Sequence, residues 1–181
     1  MKNKNKNKTK ILLIIIPLII LSLLLVFLFI NLFSDKVYYR TYSKEYGWTK
    51  WTKNGGISGV KGADILKIQI KTEKHFNHKG EVFYKTYYND KFQYDYKCCG
   101  KSNSNGKYKI EGIKMMFSDD LYNDYDIYYR TYTDKQGWLK FAKNEEISGA
   151  KNEAIQMIQI IYTKKGKGIK DTSTNDSSKG F

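Results

Sequence analysis

The residues of this sequence best suited to surface chemistry are Trp48, Trp51, Trp138 and Phe141. A flat aromatic ring stacks on the C–H face of a sugar, and rings at fixed intervals suit a multivalent ligand. Trp48 and Trp51 stand three residues apart, and Trp138 and Phe141 repeat that spacing 90 positions later. Recurrence also fits packing, since a residue that returns in every copy of a unit is ordinarily core or turn. Trp48 and Trp138 are therefore expected to pack inside, and Trp51, whose counterparts drift to Tyr96 and Phe141, stays open between core and ligand.

Other chemistry finds little to build on. His75 and His78, spaced H-x-x-H, have no matching pair in the second spacer and are expected to be exposed linker. Asp119, Asp120, Asp124 and Asp126 lack the glycine-punctuated loop of a calcium site. No phosphate loop, nucleophile elbow or dinucleotide motif occurs. Cys98 and Cys99 are adjacent, so they staple no framework; a turn, a vicinal ring or a bridge to another chain all remain open. The expectation is a non-enzyme with no catalytic residue, no metal site and no cofactor.

The elements that must position the aromatics begin after a distinct N-terminal segment. Ile11 to Phe33 carries no charge, and its 23 residues would reach about 34 Å as a helix, enough to cross a bilayer core of about 30 Å. It is longer than a signal-peptide core and has no small-residue cleavage site, which predicts an uncleaved signal-anchor. Lys2, Lys4, Lys6, Lys8 and Lys10 precede it and place residues 1–10 on the cytoplasmic side, with the C-terminal part extracytoplasmic.

Beyond the anchor, an internal repeat organises the chain. Val37 to Tyr42 returns as Ile127 to Tyr132, and 18 of the 36 positions in 37–72 match those in 127–162 without a gap. A middle copy is required at 82–117 and is there, with Val82 to Tyr87 and Ile110 and Ile113 in register. It is diverged, with 7 of 36 identities to the first, and it carries Phe92-Gln93 in place of Gly47-Trp48.

In each copy a β-branched and aromatic strand opens, glycine turns follow, and a strand closes. Val37, Tyr39 and Thr41 share one face of the opening strand; Tyr38, Arg40 and Tyr42 share the other. The closing strand, Ile65 to Thr72, is expected to turn Leu66, Ile68 and Ile70 inward, although a helix over 64–70 is an alternative. Equal nine-residue spacers, Glu73 to Glu81 and Ser118 to Asp126, argue for copies related by symmetry. The predicted fold is all-β, a pseudo-threefold domain over 34–162, β-prism-like first and β-trefoil second, after one transmembrane helix. Residues 163–181, rich in Lys, Gly, Ser, Thr and Asp, read as a disordered tail.

These residues resemble the clostridial hydrophobic W repeat. The resemblance rests on Val37, Tyr39, Gly47-Trp48, Trp51, Gly55, Gly59 to Gly62 and Ile65 to Ile70, with Lys109 to Lys114 in the middle copy and Gly137-Trp138 and Gly149 in the third. Tyr42, Tyr87 and Tyr132 stand where the family commonly has histidine. The resemblance implies a surface protein of Gram-positive type that attaches to cell-wall or other extracellular polysaccharide, and the stacking argument makes Trp48, Trp51, Trp138 and Phe141 the residues expected to bind it. A protein-binding adhesin or scaffold is the alternative. The ectodomain is basic, with 27 Lys and Arg against 18 Asp and Glu beyond residue 33. Its lysines are spread rather than striped, which ranks capture of nucleic acid last.

Overall fold

The computed structural model describes residues 2–32, 36–73, 79–93, 95–103, 105–170 and 176–181. The chain divides into two compact units, 1–34 and 35–181. The first is one helix, α1 (Lys2–Leu32), which continues through Pro17. Its apolar side chains between Leu13 and Leu28 are exposed. Among the described residues no helix is long and apolar enough to cross a membrane. The described side chains of α1 cover 13–28, a shorter stretch than the uncharged run from Ile11 to Phe33.

The second unit is built from three sheets, one on each copy. In the first copy, β1 (Lys36–Ser43) carries two short strands on one edge, β2 (Gly47–Trp48) and β3 (Thr52–Lys53). Its other edge pairs with the closing strand β5 (Lys67–Glu73), from Lys36↔Glu73 to Tyr42↔Lys67. Between them β4 (Ile57–Gly59) leaves the copy and adds to the third sheet. The middle copy pairs β6 (Val82–Tyr88) with β7 (Lys91–Phe92) and β8 (Gly112–Phe117). A short helix, α2 (Asp119–Asp124), then leads into the third copy. There β9 (Tyr125–Thr133) pairs with β10 (Gly137–Trp138), β11 (Ala142–Lys143) and β13 (Ile155–Lys164), while β12 (Ser148–Ala150) crosses to β8. The middle copy makes the corresponding exchange through Asn103, whose N–H donates to Ile68 O of the first sheet.

Alternation explains these strands. Along β1 every second residue is buried, and Val37, Tyr39 and Thr41 go inward as their spacing predicts. The core is assembled from positions 45 apart: Tyr39, Tyr84 and Tyr129 are fully buried, as are Ile68, Ile113 and Ile158. The closing strands meet in a ring of three backbone hydrogen bonds. Ile65 N–H donates to Ile155 O (2.8 Å), Ile155 N–H to Ile110 O (2.7 Å), and Ile110 N–H to Ile65 O (2.9 Å).

The tyrosines tie the copies together in the same cyclic sense. Tyr39 OH donates to Gly56 O of its own copy and accepts from Ile160 N–H of the third (3.1 Å). Tyr129 OH donates to Glu146 O and accepts from Met115 N–H of the second (2.9 Å). Tyr84 OH bonds Lys101 O and, in the first copy, Ile68 O (2.9 Å). Burial raises the hydroxyl pKa of all three, that of Tyr39 to about 12. They serve as neutral donors to the backbone carbonyls Gly56 O, Lys101 O and Glu146 O.

Two sequence expectations change. Ile65 rather than Leu66 is buried, because strand pairing begins only at Lys67 and the alternation of β5 does not extend back through Leu66. From Lys67 the closing segment is the expected strand and not the helix alternative over 64–70. The second spacer holds α2 and the start of β9. The expected disordered tail is partly strand: β13 runs on to Lys164, and β14 (Ser178–Lys179) pairs in parallel with β12. The ring of Phe181, 4.8 Å from that of Tyr87, supplies the apolar contact that a polar composition conceals. His75 and His78 lie outside the described residues.

Candidate ligand-binding faces

The face of β1 opposite the core carries Tyr38, Arg40 and Tyr42, all half-buried. Trp48 is directly opposite Tyr42 in the β1–β2 pair, so its ring falls on this outer face, 5.5 Å from the Tyr42 ring. This explains why Trp48 and Trp138 do not join the core as expected: both are half-buried on the outside, held by their register with outward tyrosines. Trp51, just before β3, lies on the same face.

Between the two indoles sits a guanidinium. Arg40 Cζ is 4.6 Å from the centre of the Trp48 ring and 4.5 Å from that of Trp51. Its Nε donates to Gln69 Oε1 at 2.8 Å, from the residue opposite it in the β1–β5 pair. The third copy repeats the arrangement. Arg130 Cζ lies 4.7 Å from the Trp138 ring and 4.6 Å from the Phe141 ring, and its Nε donates to Gln159 Oε1 at 2.8 Å. Each aromatic pair is a clamp closed on a positive charge. Such cation–ring contacts are worth about 0.5–1 kcal/mol each at exposed sites.

On the first sheet the series runs further. Lys71 Nζ lies 5.0 Å from the Trp51 ring and 5.4 Å from that of Tyr38, and Lys67 Nζ is 5.2 Å from the Tyr42 ring. Aromatic planes and cations thus alternate from Tyr38 through Lys71, Trp51 and Arg40 to Trp48, which packs directly against Tyr42. On the third sheet Lys61, from the first copy, approaches the Tyr132 ring to 5.6 Å. Its ammonium pKa is raised, chiefly by the hydrogen bond to the Tyr132 hydroxyl.

The middle copy lacks the clamp as a set. Lys85 replaces the arginine, Lys114 the glutamine, Gln93 the first tryptophan and Tyr96 the second aromatic. Lys85 Nζ still lies 4.3 Å from the Tyr96 ring, but Gln93 turns to Thr86, whose Oγ1 donates to its Oε1 at 2.8 Å. An open cleft of about 470 Å³ lies there, lined by Tyr88, Phe92, Gln93 and Lys97 among others.

The predicted residues therefore fall into two pairs on separate sheets, Trp48 with Trp51 and Trp138 with Phe141. Sequence reasoning passed over Arg40, Arg130, Gln69 and Gln159. Their signal was available: Arg and Gln recur in the two copies that keep a tryptophan at the clamp, and both become lysine in the copy that lost it. No protein-family model, curated protein or solved structure matches this chain.

The remaining candidates have other partners. Asp120 Oδ2 accepts from Lys79 N–H at 2.8 Å, and Asp126 is enclosed by amide and lysine donors, so the aspartates of the second spacer do not converge. Among the described residues no group of His, Cys, Asp and Glu is placed to hold a metal ion. Cys98 and Cys99 are joined to each other in a disulfide at the turn before Gly100.

Proposed function

We propose that this chain is a membrane-anchored, non-catalytic surface module of the clostridial hydrophobic W repeat type. Its outer sheet faces hold extracellular polysaccharide of the cell wall or a similar matrix. One observation carries the reading: in the first and third copies a hydrogen-bonded arginine holds a pair of aromatic rings on the outside of the sheet, half-exposed rather than in the core. A ring so fixed loses little freedom when a sugar stacks on it, and the guanidinium edge supplies donors for hydroxyl or acidic groups. Two such faces on one rigid unit suit a polymer, which can engage both.

The fold this reading implies is β-prism-like, one sheet for each copy around a shared axis, with the exchanged short strands linking neighbours. The uncharged run from Ile11 to Phe33 is its single-pass anchor, behind a cytoplasmic lysine-rich segment. Full-length protein in detergent micelles, incubated with purified cell walls, tests the reading. Trp51→Ala combined with Phe141→Ala is expected to keep its circular dichroism and lose at least tenfold in retention. Unchanged retention overturns the assignment, and retention on immobilised matrix proteins but not on walls favours the adhesin alternative.

A further inference from the structure

The divergence of the middle copy serves a second site, independent of the tryptophan faces. The strand β14 lies against β12 in the only parallel pairing among the described strands, Gly149↔Ser178 and Ala150↔Lys179. Gly149 N–H donates to Ser177 O (3.1 Å) and Lys151 N–H to Lys179 O (2.8 Å). Beyond Gly180, which has φ +72°, the Phe181 ring stands edge-on to Tyr87 at 4.8 Å and lies 6.4 Å from Phe92. A Cβ at Gly112 would come within 2.7 Å of that ring.

Only the middle sheet can make this notch. At the position of Gly112 the first copy has Lys67 and the third Met157, side chains that would fill it. At the position of Phe92 both have glycine, Gly47 and Gly137, so neither could wall it. Two of the substitutions that set the middle copy apart thus build one aromatic receptacle beside one sheet edge. An edge that adds a strand by main-chain bonds and selects it by a side-chain pocket is a peptide-recognition site.

The occupant is held lightly. The β12–β14 pair is two residues long, and the one ring that seats 176–181 is itself 40 % exposed. Every copy of the chain carries both this strand and its receptacle, the condition for exchanging an identical element between protomers. We propose that the β12 edge with the Tyr87–Phe92–Gly112 notch is a strand-addition site for residues 176–181 of a second copy. The segment that caps its own sheet leaves it and caps a neighbour's, linking chains tail to sheet.

Two full-length variants separate donor from acceptor. Gly112→Met fills the notch and leaves the tail free to donate; Phe181→Ala empties the notch and cannot donate. Differently tagged chains are mixed in detergent micelles after circular dichroism shows both folded. The mixed pair is expected to co-purify at least tenfold more than either like pair, and a peptide of residues 176–181 to compete it away. Should Gly112→Met fail to fold, the labelled peptide is titrated directly onto the Phe181→Ala chain, where saturable binding is expected and the wild-type chain binds at least tenfold more weakly. Equal co-purification of like and mixed pairs, which any other contact surface would give, overturns the proposal. So does the absence of saturable peptide binding to Phe181→Ala.

Discussion

The carboxylate of Asp126 is 1 % exposed and held by Asn144 Nδ2 (3.0 Å), Gly166 N–H (2.9 Å) and Lys143 Nζ (3.0 Å). Burial alone would raise its pKa; the backbone donor, the amide and the lysine outweigh that and bring it down to about 2. A carboxyl whose folded pKa lies below its unfolded value near 3.8 stabilises the protein fully above pH 4. That contribution fades as the pH falls toward 2, and its size is about 2 kcal/mol. Urea unfolding at pH 6 and pH 2.5 is expected to show a smaller acid loss for Asp126→Asn than for the wild type. At the same scale, Arg40 and Arg130 hold the ring pairs in place, so the clamp is a unit of arginine, glutamine and two aromatics rather than a property of tryptophan. Much of this was beyond sequence reading. Asp126 stands in a polar stretch, and nothing in its neighbours announces that Asn144 and Gly166, 18 and 40 residues away, fold back over it.

Among the elements, the opening strands were the most legible. Alternation sorted Val37, Tyr39 and Thr41 from Tyr38, Arg40 and Tyr42 without error, because a half-buried strand writes its two faces in period two. The exchanged strands β4 and β12 were not legible. They are three residues each and take their partners from another copy, so no local pattern marks them. The tail misled for a related reason: polar composition predicts disorder, whereas a two-residue strand pairing, the Phe181 ring and a glycine on a distant strand seat it. The helix α1 bears on the proposed anchor. Alkaline carbonate washing of membranes expressing the chain is expected to leave it in the pellet, and Leu21→Arg combined with Leu24→Arg to release it. Release of the wild-type chain would count against the anchor.

For the whole molecule, the period of 45 explains both what is invariant and what is free to change. The tyrosines at 39, 84 and 129 and the isoleucines at 65, 110 and 155 close contacts between copies, and they persist even where the outer faces diverge. Tyr84→Phe removes the buried hydroxyl proton shared by Lys101 O and Ile68 O, of which Ile68 O keeps the N–H of Asn103. Its expected cost is about 1–3 kcal/mol in urea unfolding. Because the copies share one core, the unit should still lose structure in a single transition, coincident by tyrosine fluorescence and circular dichroism.

The ring through Ile65, Ile110 and Ile155 also sets an order in time. Its last bond joins Ile65 to a residue 90 positions downstream, and β4 waits for β13, about 100 positions downstream. A ribosome adding roughly 5–20 residues per second needs about 5–20 s to supply those partners. During that interval the first sheet has its hairpin but an uncovered inner face and an unpaired short strand. The earliest part of the three-copy unit to be made is thus the last to be sheltered, so its nascent chain is the stage most in need of a chaperone.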